Sequence, residues 1–257
     1  MISLDFIDSQ AAKSQIDRYT IIREYVQLLF LRYFYENNRS QIKAFFKGGT
    51  AIRFLFNSFR FSEDLDFTCT GSMIEIKKSI SDIVPRVETE AGCRILVKDE
   101  KTFKEIGVGY RLVLQPNEYI RQPLGIRLDF SFREKPLEPE VSSISVYEYP
   151  ISPFPLVTHL SVREIMAEKV RALFVRGMPR DVFDIWYLMK KGVKLDWKLL
   201  DKKMKYYPEV NYDRNILQKK IQEFKTEDLR KDLNQFLPVS YRNYYQKIVE
   251  EVLRSLK

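Results

Sequence analysis

Hydrophobic and polar positions change rhythm several times along the chain. From Ser9 to Asn38 the apolar residues Ile16, Tyr19, Ile22, Tyr25, Leu28, Leu29 and Tyr33 recur at the spacing of one helical face, and they predict one or two amphipathic helices. Gln41 to Phe46 then reads as a strand, Thr50 to Asn57 as a short helix, and Phe61 to Thr68 as a loop entering a second strand. Ser72 to Ala91 returns to helical spacing, and Gly92 stops it. Cys93 to Lys98, Ile106 to Leu114 and Leu124 to Arg133 alternate or run apolar like sheet strands separated by turn residues. Strands, a helix and strands again predict a mixed sheet with helices on one face.

Between Lys135 and Pro155 the texture changes. Five prolines (Pro136, Pro139, Pro150, Pro153, Pro155) surround one candidate edge strand, Ser143 to Tyr149. A domain boundary near Pro150 to Pro155 divides the chain into residues 1–150 and 151–257. Beyond it the pattern is helical: Ser161 to Arg176, Arg180 to Lys191, Trp197 to Tyr206, Ile216 to Phe224, Glu227 to Phe236 and Tyr241 to Leu256. The expected fold is therefore α/β (α+β), a mixed sheet with flanking helices followed by an α-helical C-terminal domain.

Composition narrows the class only partly. Hydrophobic residues at 45% place the 257-residue chain among folded globular proteins. A net charge of +8 favours a polyanionic partner such as RNA, DNA or nucleotide. Cys69 and Cys93 are too few for a disulfide scaffold, and with His159 as the one histidine a Cys/His zinc site is excluded as an expectation. Reduced thiols in a cytoplasmic protein are the simpler reading. The apolar run from Val26 to Tyr35 is interrupted by Arg32 and is far shorter than the roughly 20 residues a bilayer requires. No membrane partner is expected.

The chemistry concentrates in FKGGTAIRFLFNSFRFSEDLDF, Phe46 to Phe67. Glycines at Gly48 and Gly49 allow close backbone approach, and the amides opening the helix at Thr50 form a seat for phosphate oxygens. On a strand, Asp64 and Asp66 point to the same face. Two carboxylates together with triphosphate oxygens are the ligand set that hard Mg²⁺ prefers. A Gly-rich turn followed by an acidic strand edge is the bland alternative, and it gives no reason for two carboxylates on one face.

This arrangement resembles the first motif of the DNA polymerase β-type nucleotidyltransferases. Its wording, KGGTAIR followed by RFSEDLDF, is similar to the AbiEii and MenT toxin branch of that superfamily. The resemblance implies a third carboxylate on a neighbouring strand, for which Asp129 in GIRLDFS is the candidate, as metal ligand or as the base for the attacking hydroxyl. An ordinary solvent-facing Asp129 paired with Arg127 is the alternative. Lys47 joins Gly48, Gly49 and Thr50 as a candidate nucleotide contact.

A second block runs from Ser161 to Leu188. Here Lys169 falls within the apolar arc of Val162, Ile165, Met166, Val170 and Leu173, so its ammonium either snorkels to water or meets an anion. In the next helix Asp181 lies between Leu188 and Ile185, and Asp184 lies near that border. Capping and the helix dipole account for Asp181 more easily than for Asp184. Glu168-Lys169-x-x-Ala172-Leu173 and Arg180-Asp181-Val182-Phe183-Asp184 resemble further motifs of the toxin branch. The resemblance implies that Lys169 contacts the triphosphate, that Asp181 or Asp184 holds Lys169 or the acceptor, and that Arg180 helps bind nucleotide.

Further on, Lys202, Lys203, Lys205, Lys219 and Lys220 accompany Tyr206, Tyr207, Tyr241, Tyr244 and Tyr245. Such a set either tracks an RNA backbone with stacked bases or is a solvated face over core tyrosines. The expected function is Mg²⁺-dependent (or Mn²⁺-dependent) transfer of a nucleoside monophosphate from an NTP to a hydroxyl, with the site in the cleft between the domains. Asp64, Asp66 and Asp129 bind metal in this scheme. By resemblance, the acceptor is RNA at a tRNA 3′ end and a cognate antitoxin restrains the activity. A protein or small-molecule acceptor, γ-phosphoryl transfer, and a non-catalytic binding module are the alternatives.

Overall fold

The computed structural model describes residues 2–37, 43–103, 106–144, 146 and 148–256. It divides into two compact units, one formed by residues up to Asn57 with Phe61–Leu160, the other by Ser58–Arg60 with the residues from Ser161 onward.

The first unit is a sheet with helices. Its elements are α1 (Leu4–Ser14), α2 (Arg18–Asn37), β1 (Ala44–Lys47), α3 (Gly48–Phe56), β2 (Asp64–Cys69), α4 (Met73–Ala91), β3 (Ile95–Phe103), β4 (Gly107–Leu114), β5 (Leu124–Ser131), β6 (Pro139–Ser143) and β7 (Leu156–Leu160). The seven strands lie in the order β3-β4-β5-β2-β1-β7-β6. The β2/β5 and β1/β7 pairs are parallel, and the remaining pairs are antiparallel. Local sequence explains the helix ends. Ser72 and Glu75 form a capping box on α4, and Gly92 closes it at φ +62, a conformation that glycine adopts without penalty.

Alternation sets which face is dry. In β5, Leu124, Ile126, Leu128 and Phe130 are buried while Arg127 and Asp129 are exposed. Phe67 of β2 stacks on Phe130 at 4.8 Å between ring centroids, and Phe34 of α2 meets both rings at 5.4 and 5.9 Å. Helix α2 therefore covers the apolar face, which leaves the opposite face of β2 and β5 for the carboxylates.

Two sequence expectations shift. The edge strand lies at Pro139–Ser143, earlier than Ser143 to Tyr149, and Ser145 and Tyr147 of that expected strand fall outside the described residues. The division between units falls at Leu160/Ser161, ten residues beyond Pro150, because Leu156–Leu160 pairs with both β6 and β1 and so belongs to the sheet. Gln41 and Ile42, expected to begin the first strand, also lie outside the described residues, as does Asn38 at the end of the first helical stretch. His159 is buried in β7, with Nδ1 2.8 Å from Leu160 O and Nε2 2.9 Å from Ser142 Oγ, a satisfied structural histidine.

The second unit is helical: α5 (Val162–Val175), α6 (Pro179–Lys190), α7 (Trp197–Met204), α8 (Arg214–Gln222), α9 (Thr226–Leu233), a 3₁₀ turn (Val239–Tyr244) and α10 (Tyr245–Ser255). Ser161, Asp196 and Asp213 cap α5, α7 and α8 with their side-chain oxygens. The short Ser58–Arg60 segment packs here. Phe59 stacks on Tyr241 at 4.0 Å and meets Phe183 edge-on at 5.5 Å. Among the described residues, no helix is long and apolar enough to cross a membrane.

Candidate active site

The residues singled out for chemistry fall in both units. In the first, Asp64 and Asp66 are two apart on β2 and share one face, as their alternation with buried Leu65 and Phe67 requires. Asp66 stands in register with Asp129 of β5, and Asp64 with Arg127. In a parallel pair, register partners point to the same side, so all three carboxylates lie on the face away from α2. On the other flank Asp66 is opposite Lys47 of β1. One row of the sheet thus reads Asp129, Asp66, Lys47.

The turn from β1 into α3 fits against this row. Gly48 takes φ +81, and a β-carbon there would stand 2.9 Å from Asp66 Cγ and nearer still to Oδ2. Only a glycine allows the carboxylate to lie against the backbone in this way. Thr50 is buried, and its hydroxyl donates to the carbonyl oxygen of Asp64, tying the first turn of α3 to the start of β2. Lys47, as N-cap of α3, offers no side-chain acceptor to the first-turn amides, whose dipole favours an anion. Gly49, also buried, lies inside that turn. Cys69, at the far end of β2, is a buried thiol pushed up to about 12, chiefly by burial. Lys47 lowers it and Asp129 raises it, so both charged groups lie within electrostatic reach.

Among the described residues, no three His, Cys, Asp or Glu side chains close around one point as a metal cage. The donor set is carboxylate oxygen on one open face. Mg²⁺ characteristically binds through one or two carboxylates plus substrate phosphates, so these residues fit that ion.

In the second unit the predicted cation and anions converge. Lys169 Nζ lies 3.2 Å from Asp181 Oδ1 and 2.8 Å from Asp184 Oδ2, with both aspartates fully buried. Arg176 grips Asp181 through Nε at 3.0 Å and Nη2 at 2.9 Å. Arg60 grips Asp184 in the same bidentate fashion, at 2.9 and 3.0 Å. Burial alone would raise the carboxyl of Asp184, but Arg60 and Lys169 outweigh it and hold the group below its usual value. Asp181 is likewise lowered against its burial, by Lys169 and Arg176. Lys169 is held above its usual value, because Asp184 and Asp181 outweigh the desolvation that opposes its charge. Lys169 therefore meets anions and does not snorkel. Arg180 contributes its backbone N–H to Asp232, and its guanidinium takes no part in this network.

Arg60 is not legible in the sequence as the partner of Asp184. The available signal was the pair of aspartates on an apolar helical face, which needed more cation than Lys169 alone. The basic-aromatic set divides: Lys203 is fully buried against Glu164 and Glu168, and Tyr207 and Tyr245 are core, whereas Tyr241 and Tyr244 are exposed. Lys203 is thus a core ion and no part of a basic surface.

A mixed sheet presenting carboxylates beside a Gly-Gly turn, with a helical unit after it, has the nucleotidyltransferase-like fold. The solved structures of MenT4, a nucleotidyltransferase toxin from Mycobacterium tuberculosis H37Rv, and of JHP933 from Helicobacter pylori share it. MenT4 aligns with TM-score 0.66 at 15% identity over 100% of this chain and 90% of that one. JHP933 aligns with TM-score 0.56 at 18% identity over 94% and 91%. Comparison with curated protein sequences gives no match. The family model described as nucleotidyl transferase AbiEii toxin, type IV toxin–antitoxin system, matches residues 30–256. The chain belongs to this family and is a nucleotidyltransferase.

Proposed function

We propose that this toxin moves a nucleoside monophosphate from an NTP to a hydroxyl of RNA, with a tRNA 3′ end as acceptor, in the cytoplasm and under restraint by a cognate antitoxin. The observation that carries the reading is the register of Asp66 with Asp129, with Asp64 two residues away and Gly48 giving Asp66 room. Mg²⁺, held by Asp64, Asp66 and Asp129, supplies charge neutralisation and orientation of the phosphates when bound. Asp129, the most exposed of the three, accepts the proton of the attacking hydroxyl. The oxygen of that hydroxyl bonds to the α-phosphorus, the α–β P–O bond breaks, and pyrophosphate leaves. Amides of Gly48, Gly49 and Thr50 with Lys47 hold phosphate oxygens, and Lys169 offsets charge on the pyrophosphate. The net charge of +8 supports a polyanionic acceptor.

The test incubates the full chain with α-labelled NTPs, Mg²⁺ and either total RNA or total cell protein, with D66A as control. Label entering RNA in a D66A-sensitive way is expected. Label in protein alone would overturn the acceptor; label transferred in a parallel incubation with γ-labelled NTPs, and none from the α-labelled ones, would overturn the reaction.

A further inference from the structure

Tyr241 and Tyr244 are the exposed rings of the basic-aromatic set, at 36% and 43%, and both stand on the 3₁₀ turn that leads into α10. Each is nonetheless held from beneath. Tyr241 lies flat on Phe59, with 4.0 Å between centroids and 16° between planes, and Tyr244 leans on Trp186 at 6.0 Å. The support is itself fixed: Phe59 meets Phe183 and Trp186 edge-on, and the indole N–H of Trp186 donates to Glu251 at 2.7 Å. The two tyrosine rings stand 6.0 Å apart. Rings held in this way show apolar area to water and have little freedom left to lose when a ligand covers them.

The surrounding charge selects the occupant. Arg242 follows Tyr241 directly and donates through Nε to Leu237 O, and exposed Lys247 stands one helical turn beyond Tyr244. Lys191 Nζ lies 5.7 Å from the ring of Tyr187, which Phe59 also meets. The opposing acids are Glu250 and Glu251 of α10, and Lys190 already pairs with Glu251 at 2.8 Å. Aromatic faces bordered by cations match a strand of unpaired bases with its phosphates, since every base has a π-face to stack and every phosphate a charge to meet. We propose that this turn is a stacking platform for single-stranded RNA, with one base on each of Tyr241 and Tyr244 and with Arg242 and Lys247 on the phosphates. The proposal rests on the reading of the acceptor as RNA and gives the second unit a part in holding it.

The experiment titrates the full chain into a fluorescent single-stranded RNA of about 12 nucleotides with a free 3′ hydroxyl and reads anisotropy. Y244A binds about tenfold more weakly than wild type, and Y244F, which keeps the π-face, stays within about twofold. A thermal melt verifies that the variants are folded; Y244L, which keeps apolar bulk over Trp186 but offers no π-face, shows the same loss and serves where the alanine lowers the melting temperature. K247Q flattens the dependence of log affinity on log salt by about 0.7. Duplex RNA of the same sequence binds about tenfold more weakly, because its bases are already stacked. Wild-type affinity in both Y244A and Y244L, or equal binding of duplex and single strand, overturns the platform and leaves an RNA acceptor standing. A dimer that Y244A disperses, with RNA affinity unchanged, assigns the rings to a second copy of the chain and also overturns it. A wild-type chain that neither binds the strand nor labels RNA from α-labelled NTPs removes the acceptor reading, and the platform with it.

Discussion

Replacing Gly48 with alanine tests the link between backbone and chemistry most directly. The perturbation is one methyl group, and two costs follow from the geometry. First, φ +81 is a conformation that a residue with a β-carbon adopts at a cost of roughly 1–2 kcal/mol. Second, the new carbon meets Asp66 Cγ at 2.9 Å where ordinary contact begins at 3.4 Å. The carboxyl carbon must therefore retreat by about 0.5 Å, and Oδ2 by more, which turns the carboxylate out of its place beside the turn. The backbone cost dominates and predicts a stability loss of about 1–2 kcal/mol. Misplacing a reacting group by about 1 Å costs on the order of 10²-fold in rate, so pyrophosphate release should fall by that factor or more. Denaturant unfolding gives the first quantity and a coupled pyrophosphate assay gives the second. A G48A enzyme with unchanged midpoint and at least half the wild-type rate would refute the placement of Asp66 against this turn.

Two further outcomes follow from the second unit. Lys203→Met removes the ammonium that bridges Glu164 and Glu168, leaves two buried carboxylates without it, and should cost about 3–5 kcal/mol in urea unfolding. An unchanged midpoint would contradict the buried triad. Acid should also loosen this unit. Asp181 and Asp184 have lowered folded values, so their contribution is complete above the ordinary aspartate value of about 3.9 and disappears as pH falls through the lower folded values. Lys169 has a raised folded value, so its share is intact below about 10.4 and is lost only as pH rises through that higher folded value. Melting temperature followed from pH 7 downward should stay level to about pH 4 and then drop; a level profile extending to pH 2 would show that the aspartates are not held as charged partners.

Local patterns in the chain foretold which way the carboxylates face better than they foretold the long-range pairings. The i, i+2 spacing of Asp64 and Asp66 places both on one face of any strand, and alternation around Asp129 does the same for β5. That β2 and β5 lie side by side, with Asp66 level with Asp129, is a property of sheet order that no local pattern encodes. Strand β7 was hidden because Pro153 and Pro155 precede it and it is short. Lys203 resembled a surface lysine because its partners Glu164 and Glu168 belong to another helix, the latter 35 positions away. Arg60 escaped for the same reason on a larger scale, since it meets Asp184 across 124 positions.

The excursion of Ser58–Arg60 has a practical bearing on dissection. A fragment beginning at Ser161 retains every helix from α5 to α10, yet it lacks the guanidinium that grips Asp184 and the ring that lies on Tyr241. Such a truncated polypeptide carries an interior acid stripped of its guanidinium fork and left to Lys169, and a bare aromatic patch. Its helical half is thus completed by three residues encoded far upstream, and excision at the evident seam removes part of its own interior.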